Sequence, residues 1–406
     1  MKTIALAFRY LWSRPLAATL NLLLMTLGLA SITFVVLTSE QINRAFERDL
    51  AGIDLVVGAK GSPMQLILAG VFQIDVAPGN IPLADVQALQ KHPQVARLIP
   101  LSMGDSFRGF RIVGTTQDYL AHYKLALAQG QAWQQPMQAL LGAQVAQASG
   151  LKSGDSFSGS HGMGGGGAQH GDAPYRVTGV LTACGCVADR LVLTSLESVW
   201  QTHEKAETKA HGEKHDDKYD DKHDDDREVT VALITYKTPL AAVTFPRMVN
   251  TSTGMQAAAP AVEVSRLLRM LGVGTEVLQG LGVVLLVTAA LSVFIALWNA
   301  VRERRADLAM LRMLGATPSR VAALLLCEAL WLALLASLLG LAAGHALTGL
   351  VGYLLAAQQS FPVTGWLWVP QELWVPVAAF TVACVAAMIP AVSAYRVDVA
   401  QLLNSS

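Results

Sequence analysis

Six histidines and two cysteines carry the densest chemistry in this chain. His203, His211, His215 and His223 fall within residues 203–228, beside 11 Asp+Glu and 6 Lys+Arg. His161 and His170 lie in a Gly-rich stretch, residues 159–171. His211 and His215 are spaced i, i+4, which sets two imidazoles on one face of any helix formed there. Imidazole combined with carboxylate suits Zn²⁺ and similar ions. Cys184 and Cys186 frame one glycine, and three states are open to them: a disulfide, a metal-ligand pair, or two separate thiols. The expectation is zinc contact through His161, His170, His203, His211, His215 and His223, with Cys184 and Cys186 as adjoining candidates. The competing expectation is a solvated insertion with incidental histidines, because a segment so poor in apolar residues buries no core. Ordering such a loop costs entropy, so metal held there exchanges fast.

Other chemistry is excluded or weak. No His-Glu-x-x-His and no G-x-S-x-G occurs. No Gly-Lys dipeptide exists, so no Walker A loop can be written. The formal G-x-G-x-x-G at Gly162, Gly164 and Gly167 has no βαβ unit around it and reads as low complexity. Basic residues form no stripe with interleaved aromatics, which argues against nucleic acid. Cys327 and Cys384 stand alone in apolar runs and read as small core residues.

The elements that must position these residues are largely membrane helices. The chain is 52% hydrophobic and 15% charged, with mean hydropathy +0.40; an ordinary soluble domain carries about 25% charged residues. Four apolar runs suffice to cross a bilayer, which needs about 20 residues each. They are expected at Pro15–Leu37, Val277–Val301, Val321–Tyr353 and Leu373–Ala394. The first is longer than a signal-peptide core and has no clear processing site, so it reads as a retained anchor. The third is too long for one straight crossing, and its Gly340, Gly344 and Gly349 permit a tilt, a kink or close packing. His345 and Glu328 are ionisable groups at or near lipid depth, where a proton relay is a minor expectation.

Arginine and lysine set the orientation. Lys2, Arg9 and Arg14 precede the first span. Arg302, Arg304, Arg305, Arg312 and Arg320 follow the second, Arg396 follows the fourth, and the loop between spans three and four has none. The positive-inside rule puts both termini and the Arg-rich segment in the cytoplasm. Trp366, Trp368 and Trp374, with Phe361, mark the opposite interface. The expected plan is a membrane α-helical protein with four spans arranged one plus three. A large extracytoplasmic mixed α/β domain is inserted between the first two. In residue terms this is 1–38 (N-terminus and first span), 39–276 (external domain, with loops 159–171 and 203–228), 277–301, 302–320 (cytoplasmic segment), 321–355, 356–372 (external loop), 373–394 and 395–406. Within the domain, strands are expected at Asp54–Val57, Val95–Ile99, Phe110–Val113, Tyr175–Leu181 and Val229–Tyr236, and helices at Leu83–Lys91 and Leu140–Ser149.

Ala306–Leu314 reads as a short amphipathic helix with Leu308, Leu311 and Met310 or Leu314 on one side. Arg304, Arg305, Asp307 and Arg312 charge its surface, and Gly315 stands at the C-cap position. Read alone, it is either a knob for a partner's groove or a topology-setting loop.

The run Arg302-Glu-Arg-Arg-Ala-Asp-Leu-Ala-Met-Leu-Arg-Met-Leu-Gly-Ala316 resembles the signature cytoplasmic segment of MacB/FtsX-type ABC transporter permeases. Four further stretches are similar to that family. They are Arg9…Trp12…Arg14-Pro15; Leu141-Gly142 through Asp155; the Glu328-Ala-Leu context; and Pro390-Ala391 through Tyr395-Arg396-Val397-Asp398 and Ala400-Gln-Leu-Leu. In the last, Val399 replaces the usual proline. The resemblance implies a four-span, dimerising half-transporter in a bacterial inner membrane, with its large domain in the periplasm. It implies a separate cytoplasmic ABC ATPase that holds the ATP and docks on Arg304, Arg305, Asp307, Leu308, Leu311, Arg312 and Gly315. No cofactor is expected in this chain apart from zinc. A periplasmic adaptor and outer-membrane channel are further implied partners, besides membrane lipid. The expected function is ATP-driven work on the periplasmic side, export or extrusion. The alternative is a regulator that activates a periplasmic or cell-wall enzyme.

Overall fold

A computed structural model describes residues 2–13, 15–162, 174–202, 227–303, 310, 312–313, 315–356 and 363–395. The described residues form two compact units, one within 44–269 and the other made of residues up to 43 together with 270–356 and 363–395. Helices α1 (Lys2–Leu11) and α2 (Pro15–Leu50) open the chain. The apolar part of α2 ends before Glu40, and its residues from Arg44 onward belong to the first-named unit.

That unit is mixed α/β. Its elements are β1 (Leu55–Ala59), α3 (Pro63–Gly70), β2 (Ile81–Pro82), α4 (Leu83–Gln90), β3 (Val95–Phe107), β4 (Phe110–Thr115), α5 (Gln117–His122), β5 (Leu127–Gly130), β6 (Gln138–Leu141), α6 (Ala143–Ser149), β7 (Ser156–Phe157), β8 (Ser160–His161), β9 (Tyr175–Leu181), β10 (Leu191–Ser195), α7 (196–202), β11 (Glu228–Val229), β12 (Val231–Tyr236), α8 (Ala241–Ser252) and β13 (Met255–Ala258). The main sheet runs β13-β1-β12-β3-β4-β10-β6-β9-β5. Most neighbours are antiparallel, but β10–β4 and β6–β9 are parallel. The long β3 pairs β12 through Val95–Leu101 and β4 through Ser102–Phe107, with an irregularity between Met103 and Ser106. Two cores follow. Leu55, Val57, Leu98, Ala232, Ile234, Phe245 and Val249 fill one; Ile112, Leu141, Val145, Tyr175, Val177 and Val192 fill the other. Central strands β4 and β10 are buried along their whole length, although Arg111, Thr115, Thr194 and Ser195 break their apolar runs.

One sequence expectation fails here. Leu140–Ser149 is not one helix: Leu140 and Leu141 end β6, and only Ala143–Ser149 is helical. Both edges of β6 are taken, by β9 and by β10, so sheet pairing overrides the local helical pattern. Tyr175–Leu181 is a strand with the bounds read from sequence, and its alternate residues are buried.

In the membrane unit, α9 (Pro260–Glu303), α10 (Pro318–Ala356) and α11 (Trp374–Tyr395) follow. Among the described residues, four stretches are long and apolar enough to cross a membrane: Pro15–Leu50, Glu276–Glu303, Pro318–Leu354 and Pro370–Tyr395. The span expected from Val277 falls within Glu276–Glu303; the helix that carries it, α9, begins earlier, at Pro260, and its first ten residues belong to the other unit, where Glu263 and Arg266 pair at 3.6 Å. The membrane core is built from small and aliphatic side chains: Leu29, Ala289, Val293, Ala329, Ala333, Ala336, Ala379, Ala383 and Ala387. Small residues let helix backbones approach where no hydrophobic force separates helix from lipid. Gly340 and Gly344 are the closest case. A Cβ at Gly340 would lie 2.6 Å from the Leu29 Cβ, and one at Gly344 would lie 2.5 Å from the Thr33 Cβ. Outward, Leu16, Leu20, Leu23 and Leu27 form an exposed stripe along α2 at lipid-facing spacing. Helix α1 packs on α10 through Phe8 and Trp331, whose rings lie 5.2 Å apart, and the Trp331 indole donates to the Ile4 carbonyl at 3.2 Å.

Candidate functional site

The cytoplasmic segment is described only in part. Arg304, Arg305, Asp307, Leu308 and Leu311 lie outside the described residues. Gly315 has φ +91°, and its N–H donates to the Arg312 carbonyl at 3.0 Å. This left-handed glycine matches the helix end read from sequence. Pro318 then opens α10, in keeping with proline's place in a first turn.

Within the membrane unit the described hydroxyls mostly donate to carbonyls of their own helix, as Thr33 does to Leu29, Ser337 to Ala333 and Thr348 to Gly344; one cluster of side chains instead ties a helix to a loop. His345 on α10 contacts the Gly365 carbonyl through Nδ1 at 2.7 Å and the Glu372 carboxylate through Nε2 at 2.8 Å. A carbonyl only accepts, so Nδ1 carries hydrogen. The Nε2–Oε2 contact then needs one more proton, placed on either atom. The second Glu372 oxygen accepts from the Val369 N–H at 2.9 Å, and the Trp368 ring packs 4.7 Å from the imidazole. Glu372 is 3% exposed and stands in a 3₁₀ turn, Pro370–Leu373, that leads from the connecting loop into α11. Gln41 adds a second tie to the same loop. Its amide donates to the Thr364 carbonyl at 2.9 Å and accepts from the Thr364 N–H at 2.8 Å. The aromatic belt is present, with Trp366, Trp368 and Trp374 largely exposed.

Glu328 lies 17 positions before His345 on α10, about 25 Å at the helical rise. The two therefore do not form a relay pair. Glu328 instead lines a small cavity, about 50 Å³, with Tyr10, Asn21 and Leu297. Ser292 donates to Asn21 beside it.

In the periplasmic unit, Cys184 and Cys186 are joined as a disulfide. Of the three states left open by the sequence, the structure holds this one, in which neither sulfur is a thiolate ligand. The bridge closes a ring of only three residues. By the chain-entropy relation it stabilises by about 1.6 kcal/mol, against about 3 kcal/mol for a 15-residue loop. The surrounding loop is held by carboxylates. Asp189 accepts from the Cys184 N–H at 2.9 Å and the Gly185 N–H at 2.7 Å. Asp49, in the last turn of α2, accepts from the Val187 N–H at 3.1 Å, and Arg48 donates to the Gly185 carbonyl. Tyr123 donates to the Asp49 carbonyl at 2.9 Å. Burial pushes the Asp49 carboxyl up to about 6, against the opposing Val187 hydrogen bond and the nearby Arg48 and Arg190. Asp189 is thus a loop-capping residue.

His161 is the one described member of the histidine set, and its Nδ1 lies 3.0 Å from the buried Asp105 carboxylate. A cavity of about 140 Å³ adjoins, lined by Asn80, Met103, Asp105, Arg111, Gly162 and Thr230. Arg111 is directed to protein acceptors there, the Asp75 carbonyl at 2.7 Å and Gln73 Oε1 at 3.2 Å. His170, His203, His211, His215 and His223 lie outside the described residues. Among the described residues no three His, Cys, Asp or Glu side chains gather as a metal would require.

Sequence reasoning missed Gln41, Arg48, Asp49 and Glu372. Glu372 was the most legible of them, a lone acid among aromatics in a loop without Lys or Arg. The partners of Arg48 and Asp49 lie 137 and 138 positions away, which no local pattern records.

Four apolar helices with a mixed α/β unit between the first two define a multi-pass membrane protein with one large domain outside the bilayer. Residues 18–241 match the MacB-like periplasmic core domain, and residues 280–397 match the FtsX-like permease C-terminal region. The first match alone covers more than half of the 406 residues, and the chain belongs to the MacB/FtsX family of ABC transporter permeases. It is an inner-membrane, multi-pass protein with a periplasmic domain. Among solved structures it is similar to the periplasmic region of MacB from Actinobacillus actinomycetemcomitans, at 11% identity and TM-score 0.35, over 54% of this chain and 95% of that one. It is also similar to the extracellular domain of the noncanonic ABC-type transporter YknZ from Gram-positive bacteria. That match has 13% identity and TM-score 0.29, over 50% of this chain and 98% of that one. No curated protein matches the chain.

Proposed function

We propose that this permease transmits movement driven by a separate cytoplasmic ATPase to its periplasmic domain, and so performs export or extrusion on the periplasmic side. Helix length carries the reading. Helices α2 and α9 are unbroken over 36 and 44 residues, about 54 and 66 Å at the helical rise. A bilayer core is about 30 Å thick. Each helix therefore has more length than crossing requires, and unbroken helices are stiff levers. The close Gly340 and Gly344 approach to α2 supports rigid packing within the membrane unit.

On this reading the ATPase docks on Arg304, Arg305, Asp307, Leu308, Leu311, Arg312 and Gly315. Two copies of the chain form the working assembly, and a periplasmic adaptor with an outer-membrane channel completes an export route. The test is capture of the co-expressed ATPase by the full-length chain. Leu311→Asp and Arg305→Glu should each lower capture about tenfold, as expected for central contacts of an interface. Undiminished capture by both variants contradicts the docking assignment. The co-captured periplasmic partner separates export from the alternative: an adaptor or channel supports export, and a cell-wall hydrolase supports regulation.

The proposal extends to a zinc link through His203, His211, His215 and His223, supported by their composition beside 11 acidic residues. Calorimetry on the full chain near neutral pH should show weak Zn²⁺ binding that is lost when residues 203–226 are deleted. Absence of binding ends the zinc reading and leaves the coupling proposal intact.

A further inference from the structure

We propose that Cys184–Cys186 is a thiol–disulfide exchange site that accepts reducing equivalents from an extracytoplasmic dithiol protein and thereby releases the last turn of α2. Four observations carry this. First, the bridge spans one residue and ties no distant segments together, so a stapling role is small. Second, the ring is reachable: Gly185 is exposed and Cys184 half-buried, while Cys186 is buried. Third, the remaining cysteines, Cys327 and Cys384, lie in the apolar helices α10 and α11. The exchange partner must therefore come from outside the chain.

Fourth, the ring's backbone is what α2 grips. Gly185 sits at φ +65°, a left-handed conformation natural to glycine. In that conformation its carbonyl accepts from Arg48 while its N–H donates to Asp189. Two residues further along, just past the ring, Val187 donates to Asp49. Opening the ring returns torsional freedom to residues 184–186, which competes with the hold of Asp189 on the Cys184 and Gly185 N–H groups and loosens the direction of the Gly185 carbonyl.

The chemistry balances. A thiolate of the partner attacks the accessible Cys184 sulfur, forming a mixed disulfide and expelling Cys186 as a thiolate that takes a proton. The partner's second thiol attacks its own sulfur in the mixed disulfide and frees Cys184, which takes the second proton. The chain gains two electrons and two protons, and the partner leaves as a disulfide.

The test uses the full-length chain in lipid nanodiscs, titrated with dithiothreitol as the probe dithiol. Maleimide labelling and intact mass follow the two thiols, and hydrogen exchange follows residues 44–53 and 182–190. The expected result is complete reduction without unfolding, with exchange over both segments faster by about tenfold while β4 and β10 keep their protection. Cys184→Ser/Cys186→Ser should reproduce the reduced pattern without dithiothreitol; if that variant does not fold, the wild-type titration decides. A bridge that yields only when the domain unfolds overturns the proposal. So does a bridge that is reduced with no change over residues 44–53.

Discussion

The loop around Cys184 in the periplasmic unit and the loop around Glu372 in the membrane unit are pinned by different chemistry. In the first, buried carboxylates are satisfied by main-chain N–H groups: Asp189 by Cys184 and Gly185, Asp49 by Val187. In the second, side chains satisfy one another as well as the backbone: His345 with Glu372 and Gly365, Gln41 with Thr364. The difference follows from the surroundings. A water-facing domain has loops with unpaired N–H groups to offer. In a helix bundle the N–H groups are spent within the helices, so a hydroxyl can turn back on its own helix's carbonyl but a buried acceptor such as Glu372 needs a donor from a loop or another helix. Losing one partner should therefore cost more in the membrane unit than in the periplasmic one.

The largest effect is expected at Glu372. Glu372→Ala leaves His345 Nε2 and the Val369 N–H without partners, and breaking a buried pair in this way costs about 3–5 kcal/mol. Glu372→Gln keeps an acceptor for Val369 and supplies an N–H to a neutral His345, so its loss should be a small fraction of that. Thermal unfolding of the full chain in detergent checks both. Equal losses would show that shape, not the shared proton, holds the loop.

Asp49 is next and runs in the opposite direction. Its carboxyl is raised from 3.8 to about 6. Below pH 4 the folded and unfolded chains both hold the proton. As pH rises from about 4 to 6 the unfolded chain releases it while the folded chain keeps it, so stability falls by about 3 kcal/mol by neutral pH. Asp49→Asn retains an acceptor for Val187 and should flatten this slope, raising stability at pH 7. Urea unfolding at pH 4, 5, 6 and 7 reads it. A slope that survives in the variant assigns the titration elsewhere.

A smaller effect is expected at the helix contact. Gly344→Ala places a Cβ 2.5 Å from that of Thr33, and overpacking of this kind costs about 1–3 kcal/mol. Gly349→Ala meets its nearest atom only at 3.7 Å and should be nearly neutral. Melting of the two variants side by side decides whether the small-residue pair sets the α2–α10 approach.

Legibility followed the range of the interactions. The four spans were readable because apolar length is a local property, and Tyr175–Leu181 was readable because alternation is local. Gly340 and Gly344 could be named, but their partners Leu29 and Thr33 could not, since those lie on a helix some 300 positions away. Leu140–Ser149 was misread because the pairing that makes Gln138–Leu141 a strand comes from β9 and β10. His345 is legible as a costly group in lipid, but sequence offers Glu328 on the same helix as its companion, whereas its partner Glu372 lies 27 positions on, beyond the connecting loop. The Cys-Gly-Cys unit was visible, and its grip by Arg48 and Asp49 was not.

The coupling of ATP hydrolysis to the periplasmic domain is tested most directly by hydrogen exchange on the complex of full-length chain and ATPase in nanodiscs. Exchange is compared in the nucleotide-free state, with ATP, and with a non-hydrolysable analogue. The account predicts that ATP alters exchange within residues 44–269, and that Leu311→Asp abolishes the change while leaving the ATPase's own basal turnover in place. Identical periplasmic exchange in all three states, in a complex that hydrolyses ATP, would contradict it.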